Sequence, residues 1–587
     1  MKSSIEVPKK NKKKNNDLWG SDIIANSIRN IGVPYVTLNP GASFRGLHDS
    51  FVNYLGNVSP KIILCLHEEH AVSVAHGYAK VAEKPLATIL HSNVGLMHGS
   101  MAIFNTFCDR VPVIILGATG PLDAKKRRPW IDWIHTSQDQ ASLIRNFIKW
   151  DNQPGSTEAS IEAVYRAANI AQTFPKGPVY VCFDVTIQEE KINNTFTLPS
   201  YEKFKQIGNQ FPSQEDIIKA KKILLKAKKP IIFYGRVSRN KNDWKNRILL
   251  AEKLGATVFT DRKNGASFPT NHELHSFPPL QFLSPKEIEF IKKSDAILSL
   301  DWVDLAGTIS QVWSKKIGAK IINVSLDNFV HNGWSMDHQG FPPSDLRIHS
   351  TSDSFISILL KNLQKKTNNY VKRRALSFKK EKIILNDNLN LNNIAECLKK
   401  FSEPKKISFL RLPGGWPFSE WPLTDPLSFI GYDGGGGIGS GPGMSVGSAL
   451  AFRDLYPKRL PISIIGDGDY LMGINALWTA AHYKIPLLII VANNQSYFND
   501  EMHQDRVALE RGRNRENKWI GQKIVNPEVD LAKLAISQGL KGIGPIKTLK
   551  DLEQGIIESI NLLKAGYPTV LDVIIGPRNP LVFKNKN

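Results

Sequence analysis

The segment 460–500, LPISIIGDGDYLMGINALWTAAHYKIPLLIIVANNQSYFND, switches between two side-chain periods and so commits this chain to a layered α/β fold. Residues 462–465 are a short, mostly apolar run of strand length. Gly466-Asp467-Gly468 follows as a turn whose glycines tolerate positive φ and let backbone approach closely. Leu471, Ile474, Leu477 and Trp478 then recur at helical spacing until Lys484-Ile485-Pro486 breaks the pattern. Residues 487–491 form a second buried strand, with Asn493 and Asn494 at its carboxyl end. A right-handed crossover makes the two strands parallel, so Asp467 and Asn494 emerge on one sheet edge. Beside a helix N-terminus, such an edge takes phosphates.

A carboxylate facing a phosphate repels it unless a cation lies between them. Asp467, the Asn494 amide oxygen 27 residues on and a nearby backbone carbonyl make a hard, all-oxygen partial cage. Such a cage suits Mg²⁺, with phosphate oxygens and water completing the octahedron. A plain turn and an Asn pair closing an ordinary strand are the alternative. The order G-D-G, some two dozen residues, then N-N resembles the diphosphate-binding motif of the thiamine diphosphate (ThDP) enzymes. By that resemblance Asp467, the Asn494 side chain and the Ser496 carbonyl hold the metal, while Gly466, Gly468 and Asp469 lie against the coenzyme.

With 587 residues, 42% of them hydrophobic and 22% charged, the chain has material for three to four globular units. No run approaches 18 uninterrupted apolar residues, so no transmembrane helix is expected. Residues 1–17 form a basic tail without the apolar stretch of a secretory signal, which points to the cytoplasm. The net charge of +22 is spread along the chain, with Lys-rich runs at 9–14, 219–229 and 372–382. No aromatic-basic recognition motif accompanies it, so a solvated Lys- and Asn-biased surface accounts for it better than nucleic-acid binding does. Four scattered cysteines, Cys65, Cys108, Cys182 and Cys397, read as thiols in a reducing compartment.

Strand and helix patterns alternate through three α/β units, each expected to be a doubly wound parallel sheet: 18–190, 205–365 and 390–580. The first has candidate strands at 35–38, 62–66, 86–90, 111–116 and 178–183, and helices at 71–82 and 160–174. Residues 184–208 read as a linker. The second has strands at 230–234, 257–260, 296–300 and 320–324, with no Gly-rich phosphate turn, and the polar stretch 361–393 bridges to the third. The third has strands at 407–410, 462–465, 487–491 and 570–575.

In the first unit His67-Glu68 ends a strand and opens a helix, where a carboxylate is by default a cap. The pattern H-E-x-x-A over His67–Ala71, followed by Gly77-Tyr78-Ala79-Lys80, resembles the pyrimidine-binding domain of the 2-oxo acid decarboxylase and acetolactate synthase group. There the Glu after the His meets N1′ of the aminopyrimidine, which maps to Glu68. Asn39-Pro40-Gly41 matches the group's N-P-G turn, so Gly41 joins the coenzyme set. Leu90-His91-Ser92 matches a segment of benzoylformate decarboxylase whose His lines the substrate pocket. That enzyme follows N-P-G with a substrate-binding Ser; here Ala42 stands there and Ser43 comes next. Asn93-Val94-Gly95 replaces the usual G-P-G.

In the third unit Gly434, Gly436 and Gly439 satisfy G-x-G-x-x-G formally, but no clear strand precedes them, which argues against NAD. Ile438 falls where the family puts a large apolar residue under the bent coenzyme. His91, His135 and Asp500 are candidates for moving protons, with His98 and His503 weaker ones. Trp130, Trp133, Trp416, Trp421 and Trp519 either wall a pocket or pack. The resemblance implies a ThDP- and Mg²⁺-dependent homodimer or homotetramer that decarboxylates a 2-oxo acid, with or without carboligation. FAD in the middle unit stays open, because some relatives carry it without a sharp signature. The competing class is a non-catalytic basic α/β binding protein.

Overall fold

The computed structural model describes residues 6–9, 17–192, 197–205, 208–280, 282–327, 343–363, 388–432 and 434–576. Most of the basic tail and residues 364–387 of the bridging stretch lie outside them. The described chain holds three parallel sheets of six, five and five strands and one two-stranded ribbon. It clusters into two compact units: one spans 1–378 with 422–436, the other 379–421 with 437–587. The first unit carries the six-stranded sheet and the middle five-stranded sheet, and the second carries the last.

The six-stranded sheet runs Lys61–Leu64, Tyr35–Leu38, Leu86–Leu90, Val113–Thr119, Val179–Asp184, Asp151–Asn152. Every neighbouring pair is parallel. Leu86–Leu90, Val113–Thr119 and Val179–Asp184 are buried along their whole length, which is why they read as continuous apolar runs. Ile24, Ile28, Phe44, Phe51 and Val164 fill one face. The sheet reverses direction of growth at Tyr35–Leu38 and Leu86–Leu90, so the turns after them share the edge where α/β sheets bind ligands.

The middle sheet runs Thr257–Thr260, Pro230–Tyr234, Ala296–Leu300, Lys320–Val324, Leu346–Ile348, again all parallel. The last sheet runs Ile407–Arg411, Leu460–Gly466, Leu488–Asn493, Thr569–Ile574, Lys541–Ile546. Leu460–Gly466 and Leu488–Asn493 pair in parallel with Ile462 opposite Leu488 and Gly466 opposite Ala492. The Asp467 and Asn494 main chains therefore leave the sheet side by side.

Several expected boundaries move for local reasons. Strand pairing begins at Val113 and not at 111, since Pro112 has no N–H to give a ladder. The expected strand 62–66 is Lys61–Leu64, and Cys65-Leu66 already turn towards the helix. The single helix after the glycine turn is two, Asp467–Gly473 and Ala476–His482. The described residues of the expected linker 184–208 are tied to the sheet unit. Lys191–Ile192 pairs with Leu18–Trp19, and buried Tyr201 packs on Tyr165 with ring centroids 5.2 Å apart. Lys541–Ile546 (KGIGPI) and the helix Ser92–Cys108 carry no clear period, the first as a Gly/Pro-bearing edge strand, the second as a run of small and apolar residues.

Candidate active site

On the edge of the six-stranded sheet, Glu68 is the first residue of the helix Glu68–Ala82. His67 precedes it as N-cap, its Nδ1 accepting the Glu69 N–H at 3.1 Å. Glu68 is buried, and its Oε2 lies 3.0 Å from Nδ1 of His98, a side chain 58% exposed. The His67 and His98 rings stack 4.9 Å apart. Burial first, and His98 second, hold His67 below the usual imidazole value.

His91 caps the next helix, Ser92–Cys108, and burial keeps it below the usual imidazole value, reinforced by His135. The two rings meet edge to face at 4.8 Å. A side chain at Gly41 would put its Cβ 2.4 Å from His91 Cβ and Cγ, so the N-P-G turn leaves room for the imidazole only because position 41 is bare. Gly95 does the same between the two candidates: its Cβ would stand 3.2 Å from Glu68 Cγ, Glu68 Oε1 and His91 Cβ. Glu68, His91, His98 and His135 thus share one neighbourhood. Ser43, which sequence reasoning noted only as a displaced serine, pairs with His91 Nδ1 at 2.9 Å.

In the second unit Asp467 opens the helix Asp467–Gly473 directly after its strand, and Gly466 is its N-cap. The carboxyl is 3% exposed, and burial pushes it up to about 6 against the backbone N–H groups that lower it. The Ser496 N–H reaches Asp467 Oδ2 at 2.9 Å and Asn494 Oδ1 at 3.0 Å, so one donor draws the two oxygens together. Gln495, between them, takes a left-handed φ of 55°. The Ser496 hydroxyl bonds Glu501. Gly468 allows Tyr497 its position, since a Cβ there would be 2.6 Å from the ring. A desolvated carboxylate beside an amide oxygen is a donor set that fits a hard dication.

Asp469 is employed differently. Its Oδ2 pairs with Arg411 Nε at 3.0 Å, and its Oδ1 accepts the N–H groups of Gly439 (2.6 Å) and Gly441 (3.2 Å). It thereby holds the turn that presents Ile438, which is 43% exposed, with Met472 over the bare Gly439. Asp500 and His503 lie exposed on the helix Phe498–Glu510. Trp416 and Trp421 are buried and pack on Phe409, whereas Trp130, Trp133 and Trp519 are exposed. None of the four cysteines is bonded to another, and three are buried.

Residues 18–143 match the family model described as thiamine pyrophosphate enzyme, N-terminal TPP binding domain. Residues 414–573 match thiamine pyrophosphate enzyme, C-terminal TPP binding domain. An acetolactate synthase large subunit from Haemophilus influenzae is 24% identical over 93% of this chain and 92% of its own length. A benzoylformate decarboxylase from Pseudomonas aeruginosa is 21% identical over 80% of the chain and 85% of its own. Among solved structures, a Rhodococcus jostii thiamine diphosphate-dependent 4-hydroxybenzoylformate decarboxylase superposes with a TM-score of 0.78 at 21% identity, covering 96% of this chain and all of that one. Among the described residues no helix is long and apolar enough to cross a membrane.

Proposed function

The chain belongs to the thiamine pyrophosphate enzymes, of the acetolactate synthase and benzoylformate decarboxylase type, and from that premise we propose that it decarboxylates a 2-oxo acid, with Mg²⁺ and, in a second half-reaction, a carbonyl acceptor or a proton completing the turnover. The observation that carries the reading is the pair of site halves, Glu68 at one sheet edge and Asp467 with Asn494 at another, each on the motif matched to its own domain. Asp467, Asn494 and the Ser496 carbonyl would hold the cation, and bare Gly466, whose Cβ position is open, would leave room for the diphosphate. Glu68 would hold the aminopyrimidine by its ring nitrogen, and Ile438 would support the coenzyme from below. Bound there, the coenzyme supplies an electron sink for the carbanion left when CO₂ departs.

The protein's own groups do the rest. Glu68, buried at a helix N-terminus, would hold the aminopyrimidine ring nitrogen and share a proton with it. Burial holds His91 below the usual imidazole value, so it would stand neutral to accept a proton and return it to the product carbon or oxygen; His135, edge-on to it, is a second candidate for moving that proton. Asp500 lies farther along the chain from the metal ligands and is a secondary candidate. The reading includes a homodimer or homotetramer in which two copies complete each site.

The test is a screen of 2-oxo acids with the purified protein, ThDP and Mg²⁺, measuring CO₂ and identifying the carbon product. Acetolactate from pyruvate marks a synthase, and an aldehyde from an aryl or branched acid marks a decarboxylase. No CO₂ from any acid, with ThDP and Mg²⁺ leaving thermal stability unchanged, refutes the proposal.

A further inference from the structure

Beside Glu68 stand two imidazoles whose presence the coenzyme reading does not require. His67, Glu68 and His98 each offer a ligand atom, all within 4.8 Å of one another, and they form the one such group among the described residues. The separation of 3.0 Å between His98 Nδ1 and Glu68 Oε2 is close to the edge of about 3.3 Å of a tetrahedron with bonds of about 2.0 Å. The remaining edges, no longer than 4.8 Å, would shorten on metal binding. Through Nδ1 His67 would exchange its capping bond from Glu69 N–H for a metal bond. His67 and Glu68 are the N-cap and first residue of the helix Glu68–Ala82, and His98 lies in the second turn of the helix Ser92–Cys108 packed against it, so the site sits on rigid elements.

The electrostatics suit a dication. Burial, and then His98 stacked at 4.9 Å, hold His67 below the usual imidazole value, which favours the neutral, ligating form of that ring. Glu68 adds a negative charge that is 7% exposed. A third ring, buried His70, lies 5.4 Å from His67, its Nδ1 without a hydrogen-bond partner. Two imidazoles and one carboxylate select a borderline transition metal, whereas the all-oxygen set at Asp467 selects a hard one.

We propose that His67, Glu68 and His98 form a second metal site, for Zn²⁺ or a similar transition dication, and that its occupation withholds Glu68 from the coenzyme ring. The second half rests on the role given to Glu68 above. One dication class thus supports coenzyme binding at Asp467, and another opposes it at Glu68.

Coenzyme-free, tag-free full-length protein is titrated with Co²⁺, whose visible absorption separates imidazole-bearing four- or five-coordinate sites from octahedral all-oxygen ones. Intense bands are expected, removed by Zn²⁺ and indifferent to excess Mg²⁺. His98→Gln keeps a hydrogen bond to Glu68 but loses a ligand, and should weaken Co²⁺ by more than the roughly 10–100-fold that loss of an outer-shell partner costs. Only weak octahedral bands, or bands with the same midpoint in H98Q, overturn the site. ThDP with Mg²⁺ should then abolish the bands in step with its thermal stabilisation of the protein. Bands that survive while the coenzyme binds overturn the competition. Bands as expected with no response to ThDP and Mg²⁺ uphold the metal site and count against the coenzyme reading instead.

Discussion

Ser43 Oγ lies 2.9 Å from His91 Nδ1. The same oxygen accepts the N–H of Ser92 at 3.1 Å, and Ser92 is held at a left-handed φ of 28°. A hydroxyl oxygen has two lone pairs, so beside that N–H it can also accept Nδ1–H, which leaves Nε2 as the bare nitrogen able to take a proton. The serine that the N-P-G turn carries one place late thus still reaches His91, as its support.

Ser43→Ala should therefore act twice. Loss of a buried acceptor for Ser92 N–H costs about 1–3 kcal/mol of stability, read by urea unfolding. The pH profile of kcat should also shift, because His91 no longer has its tautomer set. A variant destabilised but with an unmoved profile would confine Ser43 to a structural role.

Glu68→Gln keeps the shape of the side chain and removes its proton exchange, so turnover should fall by ~10²-fold or more. Gly95→Ala should weaken ThDP binding without unfolding the helix, since its Cβ would press on Glu68 and His91 at 3.2 Å. Turnover assays check the first and coenzyme titration by intrinsic fluorescence the second; a G95A protein with unaltered affinity would show that Glu68 has room to shift.

Asp467→Asn should raise the stability of the coenzyme-free protein above pH 6, on the order of 1–3 kcal/mol, because it deletes a charge whose burial pushes the carboxyl up to about 6. The same change should abolish the stabilisation that ThDP and Mg²⁺ give. Thermal melts with and without the pair measure both effects in one experiment.

Arg411→Met leaves Asp469 buried without its counter-charge, both side chains being under 10% exposed. A loss of about 3–5 kcal/mol is expected in the second unit. The turn at Gly439 and Gly441 should loosen with it, lowering ThDP affinity. The double change Arg411→Met with Asp469→Leu should recover part of the stability and none of the affinity.

Acid should weaken the first unit through two buried imidazoles. Burial pulls His70 down to about 4 and His275, bonded to Thr260 at 2.8 Å, to about 3. Both folded values lie below the unfolded value of about 6.5, so their stability is complete above that pH. As pH falls the unfolded chain takes protons first, and each ring withdraws about 1.4 kcal/mol per pH unit until its own folded pKa is passed. Asp261, pushed by burial up to about 6, works the other way between about 6 and 4 and offsets one of them. His275→Gln should flatten the pH dependence of urea unfolding by about one proton.

Period and punctuation alone carried the strands Tyr35–Leu38, Leu86–Leu90, Pro230–Tyr234, Thr257–Thr260, Ala296–Leu300 and Lys320–Val324, because strands buried on both faces must be apolar throughout. The same reading brought Asp467 and Asn494 to adjacent strand ends, since a short crossover has one hand. What the linear chain could not express is distance between residues far apart in it. His98 on Glu68, Ser43 on His91 and Arg411 on Asp469 are 30, 48 and 58 positions apart, and no local period links such pairs. Only the packing of one helix on the next, and of one turn against another with glycine in between, decided which of several plausible histidines meets the carboxylate and that Asp469 serves the turn that presents Ile438.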